Sequence, residues 1–326
     1  MKNISLLCKI LIISVITCII LIPYRLIAEK SEFYLQVLAY GTNQDIVSAF
    51  NGITDDLGPD VDNKVLVLFK DKHSIQVYTV LVGYIGAAGL AQAYDVLQGE
   101  LERAPADDNY REEVIRALGS VKNPASLTFL KQYYFNKKAS KRIKKAIVTA
   151  WGDIGSKEIS STLIDILKDV REDSEIRAQA ALSLGKIKST AAYETLKEIA
   201  ENRYEDKILR MYAVYSLGQT GGEQSLETLG NLMDDDVHEV AEYAVKSIAD
   251  MKIQQGGDYL ISALRSDYDS VRFYAIQGLA DLKYQKAVDI LEFKVKYDKN
   301  ERVRNEAKKA LDAIAPSKSV PSAKDE

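Results

Sequence analysis

The sequence predicts an all-α chain, an α-solenoid of about eight to nine stacked helix pairs. Three observations predict it. A short motif around a small residue recurs every 31–33 residues, each copy closes a segment with helical apolar periodicity, and proline is scarce, at six in 326 residues. Interior prolines remove a hydrogen bond and clash with the preceding turn, so long helices carry few.

The motif runs Ala117-Leu118-Gly119-Ser120-Val121, Ala150-Trp151-Gly152-Asp153-Ile154, Ser183-Leu184-Gly185-Lys186-Ile187 and Ser216-Leu217-Gly218-Gln219-Thr220. It continues as Ser247-Ile248-Ala249-Asp250-Met251, Gly278-Leu279-Ala280-Asp281-Leu282 and Ala310-Leu311-Asp312-Ala313-Ile314. The central positions 119, 152, 185, 218, 249, 280 and 312 lie 33, 33, 33, 31, 31 and 32 apart. Upstream, Val82-Gly83-Tyr84-Ile85 fits with a longer gap of 36, and Phe50-Asn51-Gly52-Ile53 lies 32 residues before it as a degraded first copy.

Each repeat reads as two helices. In the unit around Gly185, residues 156–168 form the first, 169–173 a turn, and a second begins at Asp173 or Ser174 and runs to about Ile187. Nine residues before the central position stands Ile143, Ile176, Leu209, Val240, Val271 or Val303, and five before it, in the last five units, Ala180, Ala213, Ala244, Ala275 or Ala307. These offsets fall on one stripe of a helix. The alanines allow close approach of a neighbour, and a single pair cannot bury its apolar face alone, so stacking is required.

The first 28 residues differ in kind. Lys2 and Lys9 precede the uncharged apolar run 10–22, Pro23 interrupts it, and Leu26-Ile27-Ala28 precedes Glu29. Basic start, 13-residue apolar stretch and small residue describe an export signal cleaved after Ala28. A membrane span needs about 20 apolar residues, which makes anchoring by residues 10–22 the alternative, and a lipid-modified Cys18 a third. The expected organisation is a leader or anchor over 1–28, divergent helical repeats over 29–106, well-formed repeats over 107–315 and a disordered tail over 316–326.

Both cysteines, Cys8 and Cys18, lie in the leader, so the processed chain has no thiol for a disulfide, metal or nucleophile. Three of the 43 basic residues also lie there, leaving 40 against 47 acidic ones, a formal charge of −7. That balance opposes nucleic-acid binding, which rests on neutralising phosphates. His73 and His238 sit about five units apart without a partner pattern, and the sequence carries no phosphate loop, zinc spacing or nucleophile elbow. No catalytic residue, metal or cofactor is therefore expected.

Asp173-Ser174-Glu175-Ile176-Arg177 followed by Ala180-Ala181-Leu182-Ser183-Leu184-Gly185-Lys186-Ile187 resembles the HEAT-like repeat consensus, as do Asp269-Ser270-Val271-Arg272 and Glu301-Arg302-Val303-Arg304. The resemblance spans about residues 44–315 and is strongest from 107 onward. It implies a scaffold that binds other proteins. It also implies two alternatives within the family, a bilin lyase and a nucleic-acid-binding protein. The export leader counts against both, and with it the expected location is periplasmic or envelope-associated. The membrane would be met only through an uncleaved N-terminal segment.

A basic column stands eight residues before the central position: Arg111, Lys144, Arg177, Arg210, Arg272 and Arg304, broken by Ala241. It reads as a structural ladder whose partners are helix-start residues, Asp107, Ser140, Asp173, Asp206, Asp236, Asp267 and Asn300, or else as an anion-binding row. HEAT-like repeats use such Asp/Arg pairs between units. Lys137, Lys138, Lys141, Arg142, Lys144 and Lys145 form one basic cluster, either a solvated helix start or a seat for an acidic partner or anionic membrane.

The candidate binding surface comes from apolar residues where the pattern predicts solvent. Offsets −7 and −3 from the central position lie opposite the buried stripe and carry mostly polar residues. Leu182, Met211, Tyr215 and Phe273 depart from that, and Tyr212, Tyr243 and Tyr274 form a column at offset −6. In such solenoids the second helices line the concave face, so these residues are candidates for a protein-binding patch.

Overall fold

The computed structural model describes residues 30–103, 107–136 and 139–315. The expected leader, the tail, and Lys137 and Lys138 of the basic cluster lie outside the described residues. All regular structure among the described residues is helical, and the fold is that of a HEAT-repeat α-solenoid. The chain divides into two compact units between Ala150 and Trp151, inside one helix.

The first unit contains α1 (30–40), α2 (Asn43–Phe50), α3 (Pro59–Leu68), α4 (Ile75–Ala88), α5 (Tyr94–Arg103), α6 (Asp108–Ser120), α7 (Ala125–Tyr134) and most of α8 (Lys141–Ile154). The second unit holds the end of α8, then α9 (Ser160–Lys168), α10 (Ser174–Lys186), α11 (Tyr193–Glu201), α12 (Lys207–Thr220) and α13 (Gln224–Leu232). It continues with α14 (His238–Met251), α15 (Gly257–Ala263), α16 (Asp269–Asp281), α17 (Val288–Tyr297) and α18 (Glu301–Ile314). Even-numbered helices are the second members of the pairs, and in the second unit each packs on the next even-numbered one in a continuous row.

The pattern that makes these helices is visible in α12. Leu209, Ala213, Val214, Ser216 and Leu217 are buried, at offsets −9, −5, −4, −2 and −1 from Gly218. Burying one such leucine contributes about 1.5–3 kcal/mol. The helix begins where Asp206 accepts hydrogen bonds from the amides of Ile208 and Leu209, at 2.9 and 3.1 Å. Asp107, Asp173 and Asn300 cap α6, α10 and α18 in the same manner. Asp236 and Asp267 do not cap: Val237 and Tyr268 hold the cap positions of α14 and α16. The Val237 amide there bonds to Asp235, and the Tyr268 amide to Ser266.

Close approach between second helices explains the central small residue. A β-carbon on Gly185 would lie 2.9 Å from Ser216 Cβ, and one on Gly119 3.0 Å from Ala150 Cβ. The serine also donates across the seam, Ser216 Oγ to the Ala181 carbonyl at 2.8 Å.

That seam corrects the upstream register. Gly86 meets the backbone of the next unit, where a β-carbon would lie 3.2 Å from Ala117 Cα, as one on Gly119 would lie 2.9 Å from Ala150 Cα; Gly83 faces only the Glu113 carboxylate, at 3.6 Å. The spacing is therefore the regular 33 and not 36. Three residues after the central position the backbone turns left-handed at Gly89 (φ 63°), Lys122 (52°), Gly155 (79°), Lys188 (51°), Lys252 (54°) and Lys283 (49°). Gly89 fits this column only with Gly86 as the centre. Aligning the glycine alone selects Gly83; the buried set Val77, Leu81, Val82, Tyr84 and Ile85 places the stripe three residues later. By the same rule, buried Ile46 and Phe50 centre the first copy on Asn51.

Candidate binding surface on the second helices

The arginine column is held by carboxylates one or two residues earlier than the helix-start positions expected. Arg210 donates Nε to the Ala200 carbonyl at 3.0 Å and its two terminal nitrogens to Asp235, at 3.2 and 2.5 Å. Arg177 repeats this with the Leu167 carbonyl at 3.0 Å and Glu205 at 3.1 and 2.8 Å. Arg272 grips Asp298 with two bonds of 2.9 Å and adds the carbonyls of Ser266 and Asp267. Leu167 and Ala200 end first helices, whose last carbonyls have no partner within the helix. Arg177 and Arg210 thus tie the end of their own first helix, and Arg272 the turn that follows its own, to the turn before the next repeat's second helix.

Burial disfavours the charged forms of Asp235 and Asp298. Hydrogen bonds and charge from Arg210 and Arg272 outweigh it and hold both carboxyls below the ordinary carboxylate range. Asp206 of the expected ladder acts as a helix cap, and Asp173 caps α10. Arg304 donates to the carbonyls of Asp298 and Lys299, and Arg111 meets Asp108 at 3.4 Å. Lys144 lies over the Tyr134 ring, 5.1 Å from its centroid. A guanidinium with both faces of its fork engaged is not free to bind an external anion. Acidic residues crowd these turns, so residue type alone does not single out Glu205, Asp235 and Asp298. Their recurrence 25–28 residues after each arginine was the usable signal.

The candidate patch lies on α10, α12, α14 and α16. Leu182, Met211, Tyr212, Tyr215, Tyr243 and Tyr274 are half-buried. Phe273 is buried, at 8% exposure, with the Arg302 guanidinium 3.9 Å over its ring centroid. It belongs to the seam between α16 and α18, with its ring edge against Tyr274. Lys246 lies 5.7 Å from the Tyr274 ring centroid. Within the second unit, the row therefore presents tyrosine and methionine side chains supported from below.

In the basic cluster Arg142 bonds to Asn109 at 2.6 Å and pairs with Glu112. His238 meets Ser270 at 2.7 Å and packs on the Tyr268 ring, while His73 meets Asn43 at 3.2 Å. Among the described residues no group of three or more His, Cys, Asp or Glu is placed to hold a metal ion, and no helix is long and apolar enough to cross a membrane.

Comparison with known proteins agrees with the fold. The model for HEAT repeats matches residues 133–208 and 257–325, and the PBS lyase HEAT-like repeat matches 209–235. No curated protein matches the chain. Similar solved structures include an engineered protein, at 18% identity and TM-score 0.45, covering 87% of this chain and 88% of that one. The complex of CpcE and CpcF of phycocyanin lyase from Nostoc sp. PCC7120 is similar at 14% identity and TM-score 0.45, over 81% and 98% of the two chains. Human deoxyhypusine hydroxylase is similar at 14% and 0.35, over 85% and 98%. With repeats matched over residues 133–235 and 257–325 and a helix-pair stack built on the same seam, the chain belongs to the HEAT-like repeat family.

Proposed function

We propose that this protein is a non-catalytic scaffold of the cell envelope or extracytoplasmic space that binds a protein partner along the row of second helices. The observation that carries the reading is the set Leu182, Met211, Tyr212, Tyr215, Tyr243 and Tyr274, half-buried on consecutive second helices. Tyrosine and methionine offer large contact area and are enriched where proteins meet. The arginines that would otherwise suggest an anion site are engaged within the stack. The location rests on the basic start and apolar run of the leader.

The test combines the Met211→Glu and Tyr215→Ser substitutions with crosslinking and affinity capture from the envelope fraction. Loss of one specific partner, with helical content unchanged, supports the reading. Capture that is indifferent to both substitutions overturns it. Phe273 is unsuitable for this purpose, because its replacement would disturb the seam before it disturbed a partner.

A further inference from the structure

Tyr212, Tyr243 and Tyr274 stand 31 residues apart, at the same position on α12, α14 and α16. These helices pack one on the next through the small-residue seam. A β-carbon on Gly218 would lie 2.8 Å from Ser247 Cβ, and one on Gly278 2.6 Å from Ala249 Cβ. The axes of packed helices lie about 8–10 Å apart, so the three rings recur along the row at about that interval.

Their hydroxyls are free. Elsewhere tyrosine hydroxyls are tied into the stack: Tyr84 donates to Asp62 at 2.6 Å, Tyr110 to Glu100 at 2.6 Å and Tyr193 to the Gln224 carbonyl at 3.1 Å. None of Tyr212, Tyr243 and Tyr274 hydrogen-bonds to another described residue. The three are half-buried, so each ring is held at its flank with its polar tip open. The row thus repeats one unit, an apolar ring with a hydrogen-bond donor at its edge. The charges beside it are balanced: Lys207 pairs with Glu239 at 2.6 Å, and Glu242 and Lys246 carry opposite signs on α14. Such a surface has no charge with which to recruit an acidic or basic segment.

The interval and the free donors together select the backbone of an occupant. A polyproline II segment has three residues per turn and rises about 3.1 Å per residue, so one face returns every ~9 Å, and its carbonyls have no internal partner. A β-strand repeats a face about every 6.6–6.8 Å and falls out of step by the second ring. An α-helix repeats a face about every two turns, or about 10.8 Å, but its carbonyls are bonded within the helix. We propose that Tyr212, Tyr243 and Tyr274 form a ladder that seats an uncharged, proline-rich segment of the partner protein in polyproline II form. One turn lies on each repeat, and the tyrosine hydroxyls donate to its carbonyls. The proposal rests on the reading that this row is the partner surface.

The experiment titrates a fluorescein-labelled oligoproline of about nine residues, three turns, against the full chain by fluorescence anisotropy. A Gly/Ser peptide of equal length and an alanine-rich helical peptide of about 15 residues are the comparisons. The expected result is saturable binding of the oligoproline, weakened about threefold or more by Tyr243→Phe, which removes only the hydroxyl. Tyr243→Ala should weaken it about tenfold or more, with circular dichroism unchanged. No saturable binding at millimolar oligoproline overturns the proposal, as does equal binding of either comparison peptide or indifference to either substitution. Photocrosslinking of residues 316–326 to the ladder in the free chain also overturns it, because the chain would then fill its own row. If the oligoproline fails while capture from the envelope still depends on Met211 and Tyr215, this proposal falls and the partner reading stands; if that capture fails too, both fall.

Discussion

Arg210 and Asp235 form a parallel two-bond pair inside the stack, with 2% and 5% of their side chains exposed. The arginine belongs to one repeat and the aspartate to the turn before the next second helix. The pair therefore fixes the register between two helix pairs. Replacing Asp235 with Asn keeps the shape and leaves a buried guanidinium without its counter-charge. A loss of about 3–5 kcal/mol is expected from denaturant unfolding followed by circular dichroism. A paired Arg210→Met, Asp235→Leu variant should lose much less, because it leaves no buried charge behind.

The same pairs set the acid limit of the fold. Asp235 and Asp298 have folded values below their unfolded ones, near 3.9 for a free aspartate. Their contribution is complete above about pH 4 and is lost as pH falls through the folded values. The melting temperature should therefore fall steeply below about pH 4. The Met/Leu variant should show a shallower acid slope; an identical slope would assign acid unfolding to other carboxylates.

The seam at Gly185 is more restrictive than its motif suggests. Its alanine variant would place Cβ 2.5 Å from Ser216 Oγ and 2.9 Å from Ser216 Cβ. Overpacking of this kind costs about 1–3 kcal/mol. Adding Ser216→Gly to Gly185→Ala should recover much of the loss, since it vacates the space. Failure of that rescue in thermal melts would locate the strain elsewhere.

Lys188 holds a left-handed backbone, φ 51°, where Gly89 and Gly155 stand in other repeats. A side chain there costs about 1–2 kcal/mol relative to the right-handed region, partly offset by the greater freedom glycine has when unfolded. Lys188→Gly is expected to stabilise the protein by about 0.5–1 kcal/mol. Lys122, Lys252 and Lys283 offer three independent repetitions of the measurement.

The proposed partner surface makes a different kind of prediction. Met211→Glu with Tyr215→Ser should change thermal stability by less than about 1 kcal/mol, because both side chains are only half-buried. Binding should weaken by about 2 kcal/mol or more if either is a central contact. Phe273→Ala should show the reverse ranking, with a large stability loss, because its ring is buried beneath Arg302.

The stack of helix pairs was legible in the sequence because it is repetitive. One residue class at a fixed offset, seen six times from Gly119 to Ala280, determines helix, stripe and seam together, and the HEAT-like resemblance follows from the same residues. Where the motif degrades, as at Gly86, a single glycine misled the register by three residues, and only the full buried set recovered it. The partners of the arginines were not legible. A turn such as Asp234-Asp235-Asp236 offers three carboxylates, and their local chemistry is equal. Tertiary packing decides that Asp235 turns inward to Arg210 while Asp236 meets Arg203. It likewise decides that Phe273 is seam and Met211 half-open, although both stand seven residues before a central position. Helical periodicity depends on neighbours along the chain; burial at a given offset depends on which side chain the next repeat sets against it.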